Sequence, residues 1–349
     1  MGFCLGFSKT VKIIGLMLLI NSILLAYSFA PSFAEIASDS VIVVRGNDDR
    51  IYWSRGNLPS DPSGTWNAWH QLPGTTGDPP AAATCGTILH IAVRGKDSGI
   101  YYGYVTLTNW TFFGWKKMVG STPVAPSLST TFAGTSPNYC HAFLAVRGND
   151  NRIYWTRNSV SQYGLDAFAP WQQVPAGKTI DTPATAATTR NSASSSCPCP
   201  LDKLFLAVLG EDGHSIYFAQ YDFTGATWSS WTKLPGATSH APALASLLYY
   251  YSNSAYVYLA VTGTDSRVYW SKWDPVGISW SALAKIPTGT TTSTPSLTVN
   301  TSTSVYFAVR GTNSKIYTCY LSGSTYSGWS TIPGTTPSHP VIGTITNPS

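Results

Sequence analysis

The chain reads Ala-Val-Arg-Gly-Asn-Asp-Asn-Arg-Ile-Tyr-Trp over residues 145–155, and variants of this phrase occur six times. Each copy has an apolar run before a glycine and an Ile-Tyr or Val-Tyr pair after it. The marker glycines are Gly46, Gly95, Gly148, Gly210, Gly263 and Gly311. They lie 48 to 62 residues apart, a spacing that, with insertions, is typical of propellers and solenoids. The repeat therefore predicts one large domain, although 349 residues could form several.

A polar link separates the two halves of each phrase. In the third copy it is Gly148-Asn149-Asp150-Asn151. Glycine tolerates positive φ and Asn or Asp tolerates the left-handed region, so this link predicts a hairpin turn. We interpret the acidic residues of these turns as structural caps rather than as catalytic groups or calcium ligands. They are Asp48, Asp97, Asp150, Asp212 and Asp265, with Asn313 in the sixth copy.

A second phrase follows each copy and predicts an outer strand. It reads WNAWHQLPG at 66–74, WSSWTKLPG at 228–236 and YSGWSTIPG at 326–334, with looser copies at Trp115, Trp171 and Trp280. Proline and glycine at the end of an edge strand stop the hydrogen-bond ladder and turn the chain. Another proline and a short apolar run come next, which predicts the first of four strands in the following unit.

The order of these strands predicts a closed ring. The apolar runs of the first strands begin after Pro80, Pro126, Pro183, Pro242, Pro295 and Pro340. The first unit begins at Val41 with its second strand and lacks a first, and the run after Pro340 has no further strands behind it. Pairing this last strand with the first unit would remove the free edges of an open array. We therefore predict an all-β fold, a six-bladed β-propeller of four-stranded antiparallel blades whose first blade is completed by the C-terminal strand. The units span about 41–74 with 339–346, 78–120, 123–176, 181–236, 240–288 and 293–334.

Composition and the N-terminus predict an extracellular protein. Charged residues are 11% of the chain, against a usual ~25%. Lys9 and Lys12 precede an apolar stretch over 13–26 and the small-residue site Ser32-Phe33-Ala34. This pattern predicts a signal peptide over 1–34 and a single propeller domain over 35–349. The alternative is an uncleaved N-terminal membrane anchor.

The cysteines predict a disulfide between units. Cys85, Cys140, Cys197 and Cys199 each fall between the first and second strands of successive units. Outside the cell such cysteines oxidise, and of the three pairings the one that joins Cys197 to Cys199 is the least favourable because a single residue separates them. We expect at least one cross-unit disulfide, and we expect Cys319 to be a buried thiol.

The sequence holds few groups for catalysis. It has two glutamates, Glu35 and Glu211, so the paired carboxylates of a glycosidase would have to come from turn aspartates. The six histidines lack metal-ligand spacing. We therefore predict no enzymatic activity, no metal and no cofactor. The formal net charge of +5 includes no basic run beyond Lys116-Lys117, which argues against a nucleic-acid partner.

Aromatic residues favour glycan binding. The chain has 13 Trp and 20 Tyr, and an exposed aromatic ring offers an apolar face on which a sugar can stack. Repetition around a ring adds avidity. The candidate carbohydrate-binding residues are Trp69, Trp115, Trp171, Trp231 and Trp329 of the outer strands and Trp53, Trp155 and Trp270 of the third strands. For the third-strand residues, core packing is the favoured alternative. For the recurring arginines, structural contacts are favoured over a role in lining a channel or a cleft between blades; they are Arg45, Arg94, Arg147 and Arg310.

Taken together, the two phrases resemble those of the PLL-like β-propeller lectins over essentially all of 40–344. The resemblance implies glycan pockets at blade junctions, often for fucose-type or O-methylated sugars, and no catalysis. The best-known members have seven blades, which makes a seven-bladed ring the alternative to the six units counted here. Ala176, Leu283 and Thr318 depart from the motif, so we expect the third, fifth and sixth units to contribute least to pockets.

Three functions follow in order of preference. The first is non-catalytic glycan binding by a secreted or surface lectin-like propeller, with glycans or glycoconjugates as partners. The second is a structural or adhesive propeller that holds a protein partner on one face. The third is a secreted hydrolase, which predicts a single deep central pocket with clustered Asp and His.

Overall fold

The computed structural model describes residues 39–57, 65–132, 140–158, 167–189, 201–247, 257–274, 278–300, 304–323 and 325–345. These residues form six antiparallel sheets and contain no helix. In particular, no described segment has the helical length and apolarity that crossing a bilayer requires. The predicted signal peptide over 1–34, Cys197 and Cys199 lie outside the described residues.

Each sheet is one blade, and its strands follow the chain from the channel outward. The innermost strands are β4 (Ala81–Cys85), β9 (Ser127–Phe132), β13 (Ala184–Thr189), β18 (Ala243–Ser246), β23 (Ser296–Val299) and β28 (Val341–Thr344). The second strands are β1 (Asp39–Arg45), β5 (Ile88–Arg94), β10 (Cys140–Arg147), β14 (Leu201–Leu209), β19 (Val257–Thr262) and β24 (Ser304–Arg310). The third strands are β2 (Arg50–Asn57), β6 (Gly99–Thr106), β11 (Arg152–Arg157), β15 (Ser215–Asp222), β20 (Val268–Asp274) and β25 (Lys315–Ser322).

The outer strand of most blades is split in two. Its main part is β3 (His70–Thr75), β8 (Lys116–Ser121), β12 (Gln172–Lys178), β17 (Thr232–Ala237), β22 (Ala284–Lys285) or β27 (Ser330–Thr335). In four blades a two-residue segment precedes it and pairs with the same third strand: β7 (Thr111–Phe112), β16 (Thr227–Trp228), β21 (Ser279–Trp280) and β26 (Thr325–Tyr326). The phrase Trp-x-x-Trp therefore spans the interruption of the outer strand.

The ring closes as predicted, with six blades rather than seven. The first sheet has the order β28-β1-β2-β3, and its register pairs Ser40 with Thr344 and Val43 with Val341. The C-terminal strand therefore supplies the inner strand that the first blade lacks.

The repeated glycine is explained by the hairpin turn and by the tyrosine that follows it. In the first blade the Gly46 amide donates to the Arg50 carbonyl at 2.8 Å, and Asp49 takes a left-handed φ of 65°. This is a three-residue loop whose last residue is left-handed. A Cβ on Gly46 would lie 2.6 Å from the Tyr52 ring, and the five equivalent glycines meet their own tyrosines at 2.5–2.7 Å. Glycine is therefore required because the tyrosine ring lies directly on the backbone.

The turn carboxylates act within the turn. Asp48 accepts a hydrogen bond from the Arg50 amide at 3.1 Å and another from the Tyr52 hydroxyl at 2.8 Å. Asp97, Asp150 and Asp265 repeat both contacts. Asp212 instead accepts from the backbone amides of His214 and Ser215 and from the Ser215 hydroxyl. Each carboxylate therefore caps its own hairpin.

A buried threonine joins each blade to the next. These corner threonines are Thr76, Thr122, Thr179, Thr238, Thr291 and Thr336, all with 0% exposure. Each backbone amide donates to a turn carbonyl of its own blade at 2.8–3.1 Å. Each hydroxyl lies 2.8–2.9 Å from the carbonyl that ends the second strand of the following blade. Thr336 makes this contact to Arg45 and so joins the last blade to the first.

The apolar core lies between the blades. Val43 and Trp53 of the first blade pack with Leu89 and Ile91 of the second. Four further clusters occupy the junctions that follow, and another joins the sixth blade to the first. Each sheet therefore packs against a neighbouring blade on both of its faces.

A disulfide crosses one junction, as predicted. Cys85 ends the inner strand of the second blade, and Cys140 begins the second strand of the third blade. Both residues are buried, with 0% and 4% exposure. Cys319 is a buried free thiol, and burial raises its pKa.

We predict that Thr238→Val lowers the free energy of unfolding by about 1–3 kcal/mol, because it keeps the side-chain shape but removes the hydroxyl that bonds the buried Thr262 carbonyl and accepts the His240 amide. Urea unfolding of the wild type and the variant measures this. Thr232→Val is the matched control, since Thr232 is exposed on the outer strand of the same blade. Equal losses in the two variants would contradict a special role for the corner threonine.

We predict that the double variant Cys85→Ala/Cys140→Ala loses about 2–4 kcal/mol of stability, because the bridge restricts an unfolded chain segment with a sequence separation of 55. Denaturant titrations with and without reductant measure the effect. Reductant should destabilise the wild type and leave the double variant unchanged. A reductant effect of the same size on both proteins would show that this bridge is not the cause.

Candidate functional site

The outer-strand tryptophans lie across the blade junctions. Each is half-buried, and its indole Nε1 donates to a backbone carbonyl on the outer strand of the preceding blade. The pairs are Trp69 with Pro333 at 2.9 Å, Trp115 with Pro73 at 2.7 Å, Trp171 with Val119 at 2.8 Å, Trp231 with Pro175 at 3.0 Å and Trp329 with Thr288 at 2.7 Å. These five rings are therefore fixed at the junctions, where the pockets were expected, and they also hold neighbouring blades together.

Glycine under the indole permits this approach. Gly74 and Gly334 have φ of 92° and 114°, a region that disfavours other residues. A Cβ on Gly289 would lie 2.3 Å from the Trp329 Nε1. In the fifth blade Leu283 replaces the tryptophan and packs over Gly236 in the same way. That junction therefore keeps the contact without the indole hydrogen bond.

The third-strand tryptophans lie deeper. Trp53 and Trp155 are 2% and 3% exposed and belong to the cores between blades, so they leave little surface for a ligand. Trp270 is half-buried and packs against the core between the fifth and sixth blades.

The recurring arginines contact backbone carbonyls of the corner segments that lead to the next blade, the structural role that we expected. Arg94 Nε donates to the Thr122 carbonyl at 2.7 Å and its Nη1 contacts Asp78 at 2.8 Å. Arg45, Arg147 and Arg310 bond the carbonyls of Gly77, Ile180 and Thr336 in the same way.

An open cleft of about 240 Å³ lies between the fifth and sixth blades. Its volume is below the ~300 Å³ at which sites for drug-sized ligands begin, so it fits a small ligand or part of a larger one. Its lining consists of Val268, Gly289, Thr290, Val309, Gly311, Thr312, Asn313, Tyr317 and Trp329. These described residues include aromatic, amide, hydroxyl and aliphatic groups and none that is acidic, basic or a histidine.

The fifth blade has a one-residue insertion beside the cleft, and the third blade has one at the equivalent place, between Pro175 and Gly177. The outer strand of the first blade ends Leu72-Pro73-Gly74-Thr75-Thr76, whereas the fifth blade has Ile286, Pro287 and then Thr288 before Gly289. The added Thr288 supplies the carbonyl that binds the Trp329 indole.

The position of the cleft corrects one expectation. The fifth and sixth units were expected to contribute least to pockets, yet the cleft lies between them. The substitutions on which that expectation was based, Leu283 and Thr318, do not line the cleft. Of the eight candidate tryptophans, Trp329 lines this cleft. Sequence reasoning assigned Asn313 to a turn and did not single out Tyr317 or the two threonines. Two signals could have drawn attention to them, namely the replacement of Asp by Asn in the sixth turn and the inserted Thr288.

The central channel is narrow. The inner strands line it mostly with alanine, serine and threonine and leave about 60 Å³, room for a few water molecules. His339 lies within electrostatic reach of Asp181 and His240, all of which come just before inner strands. Burial and the His240 charge lower the pKa of His339 to about 4, against the opposing effect of Asp181. The described residues contain no group of His, Cys, Asp and Glu that could hold a metal ion.

Hydrogen bonds and burial strongly shift the pKa values of two further groups. The hydrogen bond from Lys117 holds the pKa of Asp97 well below its usual range, with help from the Gly99 amide and the Tyr101 hydroxyl. Burial lowers the pKa of His90 to about 4; its Nδ1 lies 2.6 Å from the Tyr102 hydroxyl. At neutral pH this histidine is therefore an uncharged part of the core.

Solved structures similar to this chain include two fungal proteins. AofleA from Arthrobotrys oligospora is 10% identical, with a TM-score of 0.57 over 90% of this chain and 91% of that one. A fucose-specific lectin from Aleuria aurantia is 13% identical, with a TM-score of 0.55 over 86% of this chain and 92% of that one. TolB from Acinetobacter baumannii is 13% identical, with a TM-score of 0.54 over 88% and 67% of the two chains. At these identities the likeness shows the fold, a β-propeller. No protein-family model matches this chain, and no curated protein matches it significantly.

We predict that burial of His90 makes the protein less stable in mild acid. Below pH 6.5 the unfolded chain binds a proton at His90, whereas the folded chain does not until about pH 4. This contribution to stability is therefore complete above pH 6.5 and falls by about 1.4 kcal/mol per pH unit down to pH 4.

Urea unfolding at pH 7 and pH 4.5 measures this effect. The decrease in the free energy of unfolding from pH 7 to pH 4.5 should be smaller in His90→Gln than in the wild type by roughly 2 kcal/mol. Identical drops in the two proteins would contradict the prediction.

Proposed function

We propose that this propeller binds carbohydrate without catalysis, at the cleft between the fifth and sixth blades. The observation that carries the proposal is the lining of that cleft, in which an indole, a phenol, an amide and hydroxyls converge without a carboxylate, an imidazole or a basic side chain. Such a mixture of a stacking face and a few polar groups is what a sugar ring requires.

Each group has a role toward a sugar. The indole of Trp329, held by its bond to Thr288, offers a rigid face for the C–H side of a pyranose ring. Tyr317 and Asn313 supply hydrogen-bonding groups for sugar hydroxyls, as do the two threonines of the lining. Val268 and Val309 contact apolar parts of the ligand. Because junction packing holds these groups in place before the ligand arrives, binding costs little ordering of the protein.

The similar structures support the class of ligand. One of them is named a fucose-specific lectin, and the Aleuria aurantia lectin has a six-bladed fold with a novel mode of fucose recognition. These names support glycans or glycoconjugates as partners and a non-enzymatic role; the sugar itself is chosen by this chain's own residues. The narrow central channel does not support the deep pocket that the hydrolase alternative requires.

We also propose that the protein acts outside the cell. Support comes from the signal-like N-terminus, the low content of charged residues and the Cys85–Cys140 disulfide, since disulfides persist in oxidising compartments. Glycan binding at the other junctions and a protein partner on one face stay predictions.

We predict that Trp329→Ala weakens glycan binding about tenfold, because it removes the stacking face. A glycan array identifies a ligand for the wild type, and calorimetry then measures the affinity of each variant. Trp171→Ala is the matched control, since it also removes one indole hydrogen bond between blades but lies at another junction. Equal losses in both variants, or a wild type that binds no glycan, would contradict the proposal.

A further inference from the structure

The turn tyrosines of four blades donate their hydroxyl protons to a carboxylate. The donor–acceptor distances are 2.8 Å for Tyr52 with Asp48 and 2.9 Å for Tyr101 with Asp97, Tyr154 with Asp150 and Tyr269 with Asp265. The hydrogen bonds to Asp48, Asp150 and Asp265 raise the pKa values of their tyrosines. In these blades the phenol proton is therefore engaged within the turn.

The sixth blade reverses the direction of this hydrogen bond. Asn313 Nδ2 donates to the Tyr317 hydroxyl oxygen at 2.9 Å. The amide cannot be turned round, because its Oδ1 accepts the Lys315 backbone N–H at 3.1 Å, and a backbone donor needs an oxygen there. The Tyr317 oxygen is therefore the acceptor in this pair, and its own proton is not used by Asn313.

The same tyrosine lines the cleft beside Trp329. We propose that the Tyr317 O–H donates to an acceptor oxygen of an uncharged sugar, and that Asn313 is the residue that sets this specificity. This inference rests on the proposed glycan binding and defines the class of sugar. The ligand is an uncharged sugar, and its hydroxyl oxygen, ring oxygen or carbonyl oxygen faces Tyr317. An aspartate at 313 would accept a hydrogen bond from the phenol O–H and bring a negative charge to the edge of the cleft.

The lining of the cleft favours a neutral ligand over an anionic one. The described residues that line the cleft carry no basic group. Arg310, in the same turn, is directed to the Thr336 carbonyl at 3.0 Å and the Ser314 hydroxyl at 2.9 Å. A carboxylated or sulfated sugar would therefore lose hydration at this cleft without gaining a counter-charge.

The test measures binding of methyl glycosides of neutral sugars, with glucuronic acid and sialic acid in parallel, to the full-length protein by calorimetry. Asn313→Asp is expected to fold, since the other five turns carry Asp at this position, and to bind the neutral ligand at least about tenfold more weakly. Tyr317→Phe should lose about 3- to 10-fold, the effect of one hydrogen bond. Asp265→Asn makes the reciprocal change in the fifth turn and should leave the affinity unchanged.

The outcomes separate this inference from the proposed function. If Trp329→Ala loses binding while Asn313→Asp and Tyr317→Phe bind as the wild type does, the inference is overturned and glycan binding stands. Tighter binding of the anionic sugars by the wild type also overturns it. A wild type that binds none of the sugars overturns both. If Asn313→Asp fails to unfold cooperatively, Tyr317→Phe decides the question.

Discussion

The buried hydroxyl of the corner threonine is the contact on which the rest of this molecule depends. At each of six corners it lies against the last carbonyl of the next blade's second strand, while the backbone amide of the same residue bonds its own blade's turn. The threonine side chains are fully buried, so a hydrogen bond lost at this position is costly for stability. At the last corner the Thr336 hydroxyl contacts the Arg45 carbonyl. Two further contacts close the ring there, namely the pairing of β28 with β1 and the hydrogen bond from the Trp69 indole to the Pro333 carbonyl.

Because the apolar cores lie between blades, the junctions are the rigid parts of the ring. Tryptophan rings, arginine side chains and corner threonines all lie there, and the indoles and the threonine hydroxyls contact carbonyls of the neighbouring blade. At the junction of the fifth and sixth blades an open cleft lies beside Trp329, whose indole is held by the Thr288 carbonyl. A ligand that enters this cleft meets groups whose positions the fold has already set.

One motif serves two purposes in this chain. The Gly-x-Asp-x-x-Ile-Tyr phrase has a structural role where the carboxylate accepts a hydrogen bond from the tyrosine hydroxyl, because the polar groups of the turn then bond one another. With asparagine in place of aspartate the turn keeps its geometry, and Asn313 still accepts the Lys315 amide. The phenol proton of Tyr317 is then left for a ligand. A repeat protein can thus acquire a site at one junction through a change of a few atoms, while the remaining copies preserve the ring.

The sequence by itself determined the repeat, the six blades, the closure by the C-terminal strand and a disulfide between units, because these depend on spacing, on turn chemistry and on which strand each end lacks. It also placed tryptophans at the junctions. It did not separate Trp329 from the other outer-strand tryptophans, since a cleft depends on neighbours far away in the chain, and it did not identify Tyr317, whose role depends on the direction of one hydrogen bond. Only the tertiary structure decided where the cleft lies, because a cleft is the space that two blades leave between them.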